Sequence, residues 1–258
     1  MAAEIESNCA TFFLSTGRCG TQWFAHNLAR CYREFAEVRH EPFQEAYLPR
    51  TYFTKYHRGD KENLTPALEK HITDIGKTLE HKSYVETGWF VYGVLPYFIA
   101  RLEGKIKIIH LQRSLFTAAA SVASQNHYLR STWTNKVALF PKDSGVVQQI
   151  ENWERLSEYE KCLFFCTEVS AYAMRLKDLF PAVPWLTIKY ETIFNPRYSA
   201  LCLGAVLRFL RLPVKNDFLI AATEKIDSFG GAKPVQPDKE YLRLTYPTAF
   251  EVSKLLGY

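Results

Sequence analysis

The 258-residue sequence predicts a single three-layer α/β domain, a central parallel sheet flanked by helices. Three observations predict it. Short runs rich in β-branched and aromatic residues alternate with longer stretches of helical period. The strongest of these runs, residues 105–112 (KIKIIHLQ), carries Ile106, Ile108, Ile109 and Leu111 and suits a central parallel strand. A hydrophobic content of 47% in a chain of this length can also bury a sizeable core.

The elements follow in order. Phe12, Phe13, Leu14 and Ser15 form an apolar run that suits a strand buried on both faces. A polar turn, Gly17-Arg18-Cys19-Gly20-Thr21, comes next, and then Phe24, Leu28, Cys31 and Phe35 recur at steps of four, three and four, the single-face period of a helix. Residues 37–56 hold two prolines and five aromatics without a clear period and read as a long binding loop or lid. Thr65-Pro66 opens a helix whose buried stripe is Leu68, Ile72, Ile75 and Leu79.

Residues 83–87 form a short strand that places Glu86 near its end. A helix is expected over 92–102, with Pro96 in its first turns and Gly104 as its stop. After the 105–112 strand, the small residues of 117–124 suit a helix packed closely on the sheet. Residues 128–145 read as irregular, and a long helix with a bend is expected over 145–180. Residues 185–190 form the fourth strand, set off by Pro181 and Pro184. Asn195-Pro196 opens a helix with Leu203, Leu207 and Leu210 on its core face, ended by Leu212-Pro213. The tail from Phe229 is expected to regain structure only near Phe250.

Composition narrows the function. The 32 basic and 27 acidic residues give a net charge of +5, too small to argue for nucleic acid and equally explained by an anionic small molecule. Six cysteines form no C-x-x-C pair and read as buried reduced thiols. Glu4, Glu6 and Asn8 interrupt any signal-peptide core, and no run of eighteen apolar residues occurs, so the expectation is a cytoplasmic protein without a membrane span. Nothing in the cysteine, histidine and carboxylate spacing asks for a metal.

Strand, glycine-containing loop and helix, in that order, make an anion site. The first N–H groups of a helix are unpaired and carry the positive end of its dipole. Gly17 and Gly20 allow close backbone approach, while Arg18, Thr21 and Gln22 add donors. The Walker spacing G-x-x-x-x-G-K-[ST] is absent, as is G-x-G-x-x-G.

Residues 17–23 resemble instead the 5′-phosphosulfate loop of the sulfotransferases that use 3′-phosphoadenosine 5′-phosphosulfate (PAPS). Arg18 stands where the cytosolic enzymes have lysine, Cys19 lies within the loop, and Trp23 matches the position that stacks on adenine. A second resemblance follows the 105–112 strand: Arg113 and Ser121, eight residues apart, match the arginine and serine that bind the 3′-phosphate. A third is Tyr190-Glu191-Thr192, similar to the family's Tyr-Glu-Asp segment, whose tyrosine contacts adenine. The family's Arg-Lys-Gly element is not found, and the nearest candidate is the stretch with Gly230, Gly231 and Lys233, whose N–H groups could form a phosphate nest.

The resemblance covers about residues 12–213 and implies a P-loop-like fold, PAPS as cofactor, and residues 214–258 closing over its site. It implies in-line sulfuryl transfer to a hydroxyl or amine of a small-molecule or saccharide acceptor, with Arg18 as the cation at the leaving phosphate. Three groups are candidates for the base: Glu41, where several bacterial and tyrosyl-protein sulfotransferases carry a glutamate; Glu86; and His40. The alternatives are a carbohydrate sulfotransferase, a P-loop kinase and a non-catalytic nucleotide-binding module. The oligomeric state is left open, a homodimer included.

Overall fold

Strand β1 (Ala10–Leu14) is buried throughout and alternates its side chains between two cores. Ala10, Phe12 and Leu14 enter one core and Phe13 the other, as a period of two requires. The computed structural model describes residues 8–221 and 237–258. β1 is the middle strand of a five-stranded sheet with β2 (Ala36–His40), β3 (Ser83–Thr87), β4 (Ile106–Gln112) and β5 (Trp185–Lys189), in the order β2-β3-β1-β4-β5. Every pairing is parallel.

Parallel neighbours need crossovers, which bring helices onto both faces. In chain order the helices are α1 (Thr21–Tyr32), α2 (Pro49–His57), α3 (Pro66–Leu79), α4 (Leu95–Arg101), α5 (Leu115–Ala123) and α6 (Ser131–Val137). They continue with α7 (Glu158–Leu179), α8 (Tyr190–Ile193), α9 (Ser199–Leu210), α10 (Asn216–Ile220), α11 (Lys239–Thr245) and α12 (Pro247–Leu255). On one face, Phe24 and Leu28 of α1, Leu203 and Leu207 of α9 and Phe218 of α10 meet Phe13, Val85, Ile109 and Ile188. On the other, Ile72, Phe98, Ala118, Phe165 and Val252 pack with Phe12, Leu14 and Ile108. Among the described residues no helix is long and apolar enough to cross a membrane.

Four of the five strands coincide with the expected runs to within a few residues. The structure corrects the reading of 37–56 as one long loop. That stretch contains most of β2 and most of α2. β2 is an edge strand, half-exposed along most of its length, so AEVRH carries little apolar signal. In α2, Pro49 at the helix start and the buried Tyr52 and Phe53 mark a helix that the aromatic composition hid.

The long helix expected over 145–180 begins only at Glu158. Ser157 and Glu160 form a capping box there: Ser157 Oγ accepts from Glu160 N at 3.3 Å, and Glu160 Oε2 accepts from Ser157 N at 2.8 Å. The preceding stretch folds back along the helix and is tied to it by Glu168, whose buried carboxylate accepts from Val147 N at 3.1 Å and Gln148 N at 2.8 Å. α7 then runs unbroken to Leu179. The irregular 128–145 segment contains α6, and the helix expected over 92–102 is α4, preceded by a 3₁₀ turn over Phe90–Tyr92. The tail regains structure earlier than Phe250, at α11, where Tyr241 and Tyr246 both donate to Glu160 Oε1 at 2.8 Å.

Because all strands run one way, their carboxyl ends share an edge, where His40 lies beside Thr87, Leu14 beside His110 and Gln112 beside Lys189. Residues 17–20, Glu41, Gly88, Arg113 and Tyr190 all leave from it. The segment after β1 leads to α1 on one face, and that after β4 leads to α5 on the other. The gap between β1 and β4 is therefore the switch point of the sheet, where open α/β folds place their ligands.

Candidate functional site

The loop after β1 is left-handed at three of four positions: Gly17 (φ 81°), Arg18 (φ 56°) and Gly20 (φ 86°). Gly17 N donates to Ser15 Oγ at 3.2 Å and Cys19 Sγ donates to Gly17 O at 3.0 Å, which fixes the turn from within. A side chain at Gly17 would press on the Trp89 indole at 3.3 Å, and one at Gly20 on the Tyr190 ring at 3.4 Å. As the N-cap of α1, Gly20 brings no side chain to the first N–H groups of that helix. Burial pushes the Cys19 thiol up, so this residue contributes shape and backbone rather than a thiolate.

Arg18 and Arg113, 95 residues apart in sequence, meet here. Arg113 Nη1 donates to the backbone oxygen of Arg18 at 2.6 Å, and Arg18 Nε donates to Ser121 Oγ at 3.1 Å. Ser121 is in α5, two turns beyond Arg113 at the end of β4. The Arg113 guanidinium lies over the Tyr190 ring, 4.6 Å from its centroid, and its buried Nε has no hydrogen-bond partner among the described residues. Tyr190 therefore touches both halves of the site, Gly20 on one side and Arg113 on the other. Both arginines thus leave the same stretch of the sheet edge, where their positive charges suit a polyanion.

The three candidate bases have different surroundings. Glu86 points into the core, 1% exposed, and accepts from Tyr47 OH at 2.6 Å and Tyr84 OH at 2.8 Å, with His71 Nε2 at 3.2 Å. These three side chains hold its carboxylate within the core. His40 turns Nδ1 to Thr87, 3.0 Å from its backbone oxygen, and burial lowers its pKa. Glu41 lies just past β2, in a left-handed conformation (φ 47°), with its side chain 19% exposed.

The Glu41 carboxylate lies near the backbone N–H of Trp89, the same residue whose indole lies against Gly17. Gly88 makes this possible: a Cβ there would stand 2.7 Å from Glu41 Cγ. Trp89 thus stands next to both Glu41 and the loop. Burial raises its pKa to about 7, the Trp89 N–H opposes the rise, and the charge on Glu86 adds to it.

The remaining predicted residues divide. Thr21 is buried at the start of α1 and Gln22 is exposed beside it. Trp23 is 2% exposed, packed among Phe24, Phe194 and Phe218, with Nε1 donating to Ala221 O at 3.2 Å. It is a core residue beneath the loop. Gly230, Gly231 and Lys233 lie outside the described residues. Sequence reasoning missed the part played by Gly88, for which a glycine straight after a strand was the available signal, and missed Tyr258. The latter donates to Glu191 Oε2 at 2.6 Å, while Glu191 Oε1 accepts from Ser114 N at 3.1 Å. Nothing local marks Tyr258.

No protein-family model matches the sequence, and no curated protein matches it. Solved structures do. The chain is similar to the sulfotransferase domain from the Synechococcus PCC 7002 olefin synthase at 13% identity, covering 100% of this chain and 98% of that one with a TM-score of 0.57. It is similar to the sulfotransferase domain from the curacin biosynthetic pathway at 14% identity, covering 97% and 98%, with a TM-score of 0.60. A sulfotransferase from Alicyclobacillus acidocaldarius matches at 13% identity, covering 97% and 96%, with a TM-score of 0.54. At these identities the likeness is one of fold: the chain has the P-loop-like α/β fold of sulfotransferase domains, over nearly its whole length.

Proposed function

We propose that this protein transfers the sulfuryl group of PAPS to a hydroxyl or amine of a small-molecule acceptor. The observation that carries the proposal is the convergence of Arg18, Arg113 and Ser121 at the switch point of the sheet, each linked to the next by a hydrogen bond. The donor set fits a nucleotide with phosphate at both ends: an uncapped helix start and Arg18 for the 5′ side, Arg113 and Ser121 for the 3′ side. Bound there, PAPS supplies an activated sulfuryl group.

The chain's own groups do the rest. Arg18 faces the charge left on the departing phosphate oxygen, from a backbone already held in place by the Gly17 turn. Glu41 takes the acceptor proton as the acceptor oxygen or nitrogen bonds to sulfur. Its raised pKa suits this, because a base near neutrality combines availability with proton affinity. Trp89, whose N–H orients the Glu41 carboxylate and whose indole packs on Gly17, sets the distance between base and loop. Trp133 lies edge-on to Trp89 at 5.9 Å and with it offers the acceptor an aromatic wall.

A screen of hydroxyl and amine acceptors with PAPS, read by the mass gain of one sulfuryl group, tests the function. Transfer to at least one acceptor is expected, and intact PAPS with every acceptor would count against it. Because the base must be ionised, kcat/KM should rise with pH through a midpoint near 7, where half of Glu41 has lost its proton. A profile flat between about pH 6 and pH 8 would remove Glu41 from the role.

A further inference from the structure

We propose that Tyr258 is a positioning residue for the 3′-phosphate: its hydroxyl holds the Glu191 carboxylate turned away from Arg113, keeping the guanidinium open to phosphate. The proposal rests on Arg113 being the anchor of that phosphate. Glu191 follows Tyr190, on whose ring Arg113 lies, and accepts the backbone N–H of Ser114, the residue after Arg113. A carboxylate so placed is the natural competitor for the arginine, because carboxylate and phosphate engage a guanidinium through the same paired oxygens. In the structure both Glu191 oxygens are committed elsewhere, Oε1 to Ser114 N at 3.1 Å and Oε2 to Tyr258 OH at 2.6 Å.

Tyr258 is itself fixed. Lys189 Nζ donates to Gly257 O at 2.6 Å and lies over the Tyr258 ring, 4.5 Å from its centroid. Gly257 is left-handed (φ 78°), a conformation that favours glycine, and its backbone oxygen meets the lysine there. Upstream, Ala249 and Val252 of α12 anchor the segment in the core. Burial and the Glu191 charge push the Tyr258 phenol up, so it remains a donor throughout the working pH range.

Calorimetric titration with adenosine 3′,5′-bisphosphate and with adenosine 5′-monophosphate tests this. Tyr258→Phe should weaken the bisphosphate about fivefold, the scale of an exposed ion pair, and leave the monophosphate unchanged. Adding Glu191→Gln should restore the bisphosphate affinity, since the amide carries no charge to compete for Arg113. Equal weakening of both nucleotides, no weakening, or no rescue would overturn the proposal. Arg113→Ala separates the two levels: if it leaves the preference for the bisphosphate intact, the anchor assignment fails; if it abolishes that preference while Tyr258→Phe has no effect, only the role of Tyr258 fails.

Discussion

Glu41→Gln is expected to lower kcat by about 100- to 10,000-fold, the span of general-base contributions, with affinity for adenosine 3′,5′-bisphosphate unchanged. The change keeps the shape that fits against Gly88 and removes only the ability to take a proton. It should not unfold the protein. The Glu41 pKa is about 7 in the folded chain against an ordinary 4.5, so between those values the folded state holds a proton that the unfolded state has released. The stability this gives is fully present below pH 4.5 and is lost as pH rises through about 7, so a neutral glutamine loses nothing on the alkaline side. The same substitution at Glu86 should act on stability instead, by about 1–3 kcal/mol, because Tyr47 and Tyr84 would face an amide with fewer acceptor sites. Thermal melts and steady-state kinetics on both variants distinguish the two carboxylates. A Glu41→Gln enzyme of normal turnover beside an inactive, stable Glu86→Gln would reverse their roles.

Arg18→Ala is expected to lower kcat by about 100- to 1,000-fold, the cost of removing one preorganised donor from a developing oxyanion. Arginine and alanine both carry a Cβ, so the left-handed backbone at this position is kept and the substitution isolates the guanidinium. Affinity for the bisphosphate should also fall, by less, because the helix start and the Arg113 side remain. Single-turnover measurements of sulfuryl transfer check this. A variant that binds weakly but turns over at the normal rate when saturated would make Arg18 a binding residue alone.

Much of the sheet was legible because its interior strands are buried on both faces. The runs at β1 and β4 are dense in β-branched, aromatic and other apolar residues within a few positions, which reads as strand. β2 was hidden for the opposite reason: at the edge of the sheet Glu37, Arg39 and His40 meet solvent, and Ala36 and Val38 alone carry little signal. Arg18 and Arg113 were legible one at a time, each straight after a strand. Their convergence depends on β1 and β4 being neighbours, which strand order decides. The choice between Glu41 and Glu86 was not legible, since both occur near strand ends among aromatics. One pleat and one left-handed residue separate them in space: Glu86 is inside β3 and faces the core, while Glu41 has passed the end of β2 and faces Gly88. Trp23, matched by resemblance to an adenine-stacking position, packs in the core beneath the loop, and the apolar period of the first helix did not include it.

Whether two cradles grip opposite ends of one nucleotide is decided by titrating Arg113→Ala with adenosine 3′,5′-bisphosphate and adenosine 5′-monophosphate. The variant is expected to lose about 1.5–3 kcal/mol of bisphosphate binding, the value of a hydrogen bond to a charged group, and to bind the monophosphate as the unaltered protein does. Bisphosphate affinity equal to that of the unaltered protein, or an equal loss for both nucleotides, would contradict it.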